Sequence, residues 1–279
     1  MSAGIDGGNA LPGARRVQGT TAIRGIGREL IHTLDDWFRL APPAGRAVHW
    51  KEGRSALELA RRWVGGGVPE EVRLLLDSNA AFRGFSPVQA LAETRTAIDD
   101  YRGNTRNHDL LVIGETAAGP AVLDVEGKVD ESFGHTIAEQ LTAARAARVR
   151  NPRSMASDRL EELCSAVLGT PPTAVAVGHL RYQLVYGVAA AVIAAAKHGA
   201  SRVAWIVHEF RTPAAKPAAL GRNARDLDAF LRHLGSLDTS DGTARQATQT
   251  SLAGPFRLPG GRTVPADIDL YVGKAIHTL

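Results

Sequence analysis

The sequence predicts an α/β (α+β) fold, a mixed central β-sheet flanked by helices. Segments 109–114 and 202–210 are largely apolar over strand lengths and 122–128 alternates apolar with charged residues, whereas 135–149, 157–168 and 179–198 repeat apolar residues at helical spacing. Strands and helices are mixed along the chain, and a Gly/Pro turn joins the first two strand segments as in a hairpin.

With 279 residues the chain can bury a sizeable core, and a single α/β domain over 26–279 follows a Gly-, Ala- and Arg-rich stretch, 1–25, that reads as a mobile tail. The hydrophobic fraction of 44% is ordinary for a globular protein and selects no substrate. A net charge of +4 suits a polyanionic partner, although an Arg-over-Lys coding bias gives the same balance. Cys164 is the single cysteine, which excludes an intrachain disulfide and, among Leu160, Leu163, Val167 and Leu168, reads as a buried structural thiol. No basic-then-apolar leader opens the sequence, and the apolar run 185–196 is too short to span a bilayer. A cytoplasmic protein without a membrane partner is expected.

Taken in order, Leu30, Leu34, Trp37, Phe38 and Leu40 predict a helix within 28–40, stopped by Pro42-Pro43. Ser55 with Glu58 suggests a capping box for a helix over 55–63 that ends at Gly65-Gly66-Gly67, and a short helix follows Pro69. Ser86-Pro87 with Gln89 reads as another helix start, giving a helix over 86–100 that buries Val88, Leu91 and Ile98. The hairpin strands and three helices come next, then a buried strand at 202–210, a helix at 222–234 and a final strand at 268–272. Residues 236–264 are polar and turn-rich, with the length of a functional or mobile loop.

Chemistry concentrates on the second hairpin strand. Alternation puts Val122, Asp124, Glu126, Lys128 and Asp130 on one face and Ala121, Leu123, Val125, Gly127 and Val129 on the other. The chain has 28 Arg but five Lys, and Lys128 alone follows an acid by two residues. Asp109 opens the neighbouring strand, so a hairpin brings its carboxylate and that of Glu126 to one end of the sheet. Paired carboxylates suit Mg²⁺, and a lysine beside them can orient water and offset charge on an attacked phosphodiester.

Asp109 followed by Glu126-Gly127-Lys128 resembles the signature of the PD-(D/E)XK, or restriction-endonuclease-like, nucleases, over roughly residues 86–210. The resemblance implies a restriction-endonuclease-like core with helical additions, Mg²⁺ (or Mn²⁺) held by Asp109 and Glu126, and Lys128 assisting the attacking water. Glu93 resembles the helical acid many members add to the metal site. Gln183 and Arg181 resemble residues that approach the scissile phosphate. The implied activity is nucleic-acid hydrolysis, DNA favoured, by a homodimer where both strands are cut. His108 stands where the motif's name has Pro, and the strand usual before the Asp-bearing strand has no room after Asp100 and is expected near 47–51. Residues 135–177 would be an insertion.

A non-catalytic nucleic-acid-binding or interaction protein of the same fold is the alternative. By the same token Asp109 reads as a strand cap, Glu126 and Lys128 as a solvated pair, Glu93 as a surface acid, and Gln183 and Arg181 as solvating a helix start. Asp124, Asp130 and Glu131 are spare carboxylates without an assigned role. His208-Glu209 lacks the second His of a zinc-protease helix because Thr212 stands there. Pro120 replaces the lysine a phosphate loop needs after Gly119.

Overall fold

The computed structural model describes residues 21–101, 105–237 and 251–279. Its central feature is an antiparallel meander of β3 (Ser86–Ala97), β4 (Thr105–Thr116) and β5 (Gly119–Lys128). Gly119, at φ 106°, makes the tight β4–β5 turn in a conformation that L side chains rarely adopt. The short β1 (Ile23–Arg24) and β2 (Leu30–Ile31) extend the sheet beyond β3. On the other side β6 (Arg202–Arg211) and β8 (Asp269–Thr278) add in parallel, with β7 (Ala253–Phe256) antiparallel at the edge. Among the described residues this gives a mixed eight-stranded sheet in the order β2-β1-β3-β4-β5-β6-β8-β7. The α/β fold class is as the sequence predicts.

Both faces are covered, which is why the inner strands read as continuous apolar runs. On one face α5 (Ala156–Leu168), α7 (Tyr182–Lys197) and α8 (Pro217–Leu237) pack over Val122, Val203, Trp205, Leu270 and Val272. On the other α1 (Leu34–Leu40), α2 (Ser55–Trp63) and α3 (Glu70–Asp77) pack over Leu110, Val112, Leu123, Val125 and Ile206. Leu184, Val185, Val188 and Val192 of α7 are fully buried, each worth about 1.5–3 kcal/mol of apolar transfer. α4 (Ile137–Arg150) buries only Ile137 and Ala144 and leans on α5, and α6 (Val175–Gly178) is a single turn. Cys164 lies in the α7-side core, where burial pushes its thiol up to about 12. Among the described residues no helix is long and apolar enough to cross a membrane.

Several expectations are corrected. Residues 86–100 are not a helix: β3 pairs with β4 at ten positions. Pro87 sits at the strand start beside a bulge that leaves Val88 64% exposed rather than buried. Leu91 and Ile98, seven apart, both reach the α7-side core, although strict alternation would send them to opposite faces. The alternation breaks at Glu93, whose φ of 51° is left-handed although the β3–β4 register runs unshifted past it, so an irregular strand imitates helical spacing. The strand expected near 47–51 is instead a 3₁₀ turn over Arg46–Val48, and the strand before the Asp-bearing one is β3 itself.

Within the supposed tail, Ile23–Arg24 is strand, while residues 1–20 lie outside the described residues. The helix expected from residue 28 begins at Leu34, after a capping box between Thr33 and Asp36. Ser55 is not a cap: Arg54 holds that position, and Ser55 donates backbone and hydroxyl hydrogen bonds to Glu131 Oε1 at 3.3 and 3.2 Å. The loop at 236–264 contains β7, its residues 238–250 lying outside the described ones, and the final strand runs on to Thr278.

Candidate functional site

A cavity of about 510 Å³ opens at the end of the β4–β5 hairpin. Glu93, Arg106, Asp109, Glu126, Lys128 and Gln183 line it from the sheet and α7, and Trp37, His49, Ser55 and Leu59 close it from the α1–α2 side. The residues converge because alternation fails in two neighbouring strands. In β4, Leu111 packs on the α7 side and Leu110 and Val112 on the other, yet Arg106 and His108 reach Glu126 and Asp124 of β5, which share the face of Val122. The parity switch falls at Asp109, next to the left-handed Glu93 on β3.

The sequence-derived residues are brought together as follows. Asp109 Oδ2 accepts the Gly127 amide at 2.9 Å, tying the carboxylate to the middle of the Glu126-Gly127-Lys128 run. Glu126 is 3% exposed and Lys128 6%, so they are not a solvated pair. Lys128 Nζ donates to Glu126 Oε1 at 2.9 Å and to Gln183 Oε1 at 3.2 Å, and Gln183 Nε2 donates to Glu126 Oε1 at 2.7 Å. Glu93, on a strand rather than a helix, is 7% exposed and accepts from Asn107. Arg181 does not join them. It caps α7 from outside, with its Nε 2.9 Å from Asp226 and its Nη1 donating to the Gly134 carbonyl.

Two residues escaped sequence reading. Arg106, 9% exposed, pairs with the Glu126 oxygen that Lys128 leaves open, and Asn107 supports Glu93. The signal was present in the strand itself: Arg106 sits on the same alternating row as His108, and starting β4 at Asp109 rather than Thr105 hid it. Of the spare acids, Asp124 is buried 2.9 Å from His108 Nδ1, and Glu131 joins β5 to α2 through Ser55. His108 thus lies between β3 and β5, its Nε2 2.9 Å from Thr96 Oγ1 and its Nδ1 2.9 Å from Asp124 Oδ2.

Burial, then the Asp109 charge, push Glu93 up to about 8. Burial and the Glu126 charge push Asp109 up to about 7. For Glu126 burial acts in the same direction, but the Arg106 and Lys128 charges outweigh it and hold the carboxyl down at about 2. Around Glu126 the cavity thus sets one firmly ionised carboxylate, held by Arg106 and Lys128, beside two carboxyls, Glu93 and Asp109, that retain protons near neutrality.

Residues 30–278 match the family described as Domain of unknown function (DUF6946). The chain belongs to that family. No curated protein and no solved structure matches it. The family match runs from β2 to the end of β8, so in this DUF6946 member the matched region contains every residue of the cavity.

Proposed function

We propose that this protein is a divalent-metal-dependent phosphodiesterase acting on nucleic acid, DNA in preference to RNA, on a core that resembles the PD-(D/E)XK nucleases. One observation carries the reading: Asp109 of β4 and Glu126 and Lys128 of β5 meet in one cavity with Glu93 and Gln183.

The donors are of the kind a hard cation takes, carboxylate oxygens in a partly solvated cleft. Glu93 and Asp109 crowd negative charge that a dication would neutralise in place of protons. They are not a finished cage: among the described residues no three His, Cys, Asp or Glu side chains stand ready to hold a metal ion together. Arg106 occupies one oxygen of Glu126, and Lys128 and Gln183 share the other. Asp109 and Glu126, with Glu93, would hold Mg²⁺ or Mn²⁺ once Arg106 releases Glu126. Bound there, the ion would supply Lewis-acid polarisation of a phosphodiester and a more acidic water. Lys128, which donates to Glu126, would orient the attacking water and offset charge on the phosphate. Gln183 fixes Lys128 and Glu126 relative to each other.

The test is plasmid cleavage in Mg²⁺ by wild type, Lys128→Ala and Glu126→Ala, with an EDTA control. Each substitution is expected to slow cleavage on the order of a hundredfold or more; equal cleavage by all three would assign it to a contaminant and defeat the reading. The Arg106–Glu126 ion pair favours the second reading, a binding protein on the same fold. That reading gains if wild type retains DNA without cutting it in Mg²⁺ or Mn²⁺.

A further inference from the structure

A second cavity, of about 350 Å³, adjoins the first and shares Arg106, Gly134 and Gln183 with it. Its chemistry is different. Four carboxylates line the first cavity, whereas the second has none and is bordered by Arg106, Arg159, His135, Gln140 and the Tyr182 and Tyr186 side chains.

Arg106 forms the shared wall. One end of its guanidinium pairs with Glu126, its plane lies 5.5 Å from the Tyr186 ring centre, and its buried Nε has no hydrogen-bond partner among the described residues. A buried, incompletely satisfied guanidinium beside a carboxylate-free cavity is a donor waiting for an anion. Arg159 is the second cation, anchored by Asp99 at 2.5 Å and stacked 5.6 Å from the Tyr101 ring centre, so its head is held in place before a ligand arrives.

We propose that this cavity is a phosphate subsite, taking a backbone phosphate of the nucleic-acid strand next to the one presented to Asp109, Glu126 and Lys128. The inference rests on the nuclease reading and extends it. Arg106 and Arg159 bind the phosphate oxygens, Gln140 contributes an amide donor, and Gly134 borders both cavities. Arg106 would let go of Glu126 as it engages phosphate, coupling strand binding to release of the carboxylate.

The experiment measures binding of a fluorescein-labelled single-stranded oligonucleotide by anisotropy in EDTA over a range of salt, so that cleavage plays no part. Arg159→Gln is expected to weaken binding about tenfold and to reduce the salt slope by about one, with Mg²⁺ affinity by calorimetry unchanged. Removing Arg159 also breaks its ion pair with Asp99, so Gln140→Glu serves as a gentler variant that adds a negative charge on a half-buried helix position without changing side-chain size. It is expected to weaken oligonucleotide binding at least as much. Unchanged affinity in Gln140→Glu, or no oligonucleotide binding by wild type, overturns the subsite. A mononucleotide that competes as well as the oligonucleotide also overturns it, since the cavity would then serve a free nucleotide; weak competition supports the strand. Mg²⁺-dependent plasmid cleavage that persists while both variants bind like wild type removes the subsite and leaves the nuclease standing.

Discussion

Glu93 combines a left-handed backbone with a buried carboxyl, and both work against folding. The backbone term is about 1–2 kcal/mol for a residue other than glycine. The carboxyl has a definite pH signature. Its ordinary value is 4.5 and its folded value about 8, so between those pH values the folded chain keeps a proton that the unfolded chain has lost. Stability from this group therefore falls as pH rises through that window. Metal-free Glu93→Gln is expected to be more stable than wild type by a margin that grows from about pH 5 to about pH 8, reaching on the order of a few kcal/mol. Thermal melts across that range in EDTA measure it, and a gain independent of pH would show that the carboxyl is not held protonated. The same substitution should weaken Mg²⁺ binding. A strained, destabilised acid beside two other carboxylates is the pattern of a position kept for chemistry rather than for the fold. As a sequence position Glu93 looked like a surface acid on a helix, because nothing local announces a left-handed residue inside a strand.

At the scale of elements, α7 is set by its approach to β6. Gly187 lies where an added Cβ would meet the Trp205 ring, 3.0 Å from Nε1 and 3.1 Å from two ring carbons, and Trp205 is wholly buried. Alanine is the better helix former by about 1 kcal/mol, yet overpacking in a closed core costs about 1–3 kcal/mol. Gly187→Ala is thus expected to lower the urea midpoint of unfolding, and a raised midpoint would mean that α7 slides to make room. Because Gln183 is one turn before Gly187 on α7, such sliding would also disturb Lys128. The helices α2, α5 and α7 and the strands β4, β5 and β6 were readable from periodicity, since each carries its own apolar pattern. β3 was not: its Ser-Pro start and its broken alternation at Glu93 both mimic a helix, and only pairing with β4 overrides that local signal.

For the whole molecule, β4, β5 and β6 are inner strands of a sheet covered on both faces, whereas β1 and β2 are two residues each near one margin. Native-state hydrogen exchange is expected to be slowest in β4–β6 and fastest in β1–β2. Protection in β1–β2 equal to that in β5 would show that the margin is locked into the core. The site lies at the end of the most enclosed strands, so its carboxylates are desolvated by the architecture itself. The sequence by itself determined the α/β class, the β4–β5 hairpin, and the sharing of one face by Glu126 and Lys128, because these follow from repeats within a few residues. Only the tertiary structure decided that Glu93 joins Asp109 from a strand, that Arg106 neutralises Glu126, and that Arg181 turns away to Asp226. Those outcomes depend on register between strands and on where helices pack, and a periodic pattern specifies which side chains share a face without specifying what that face will meet.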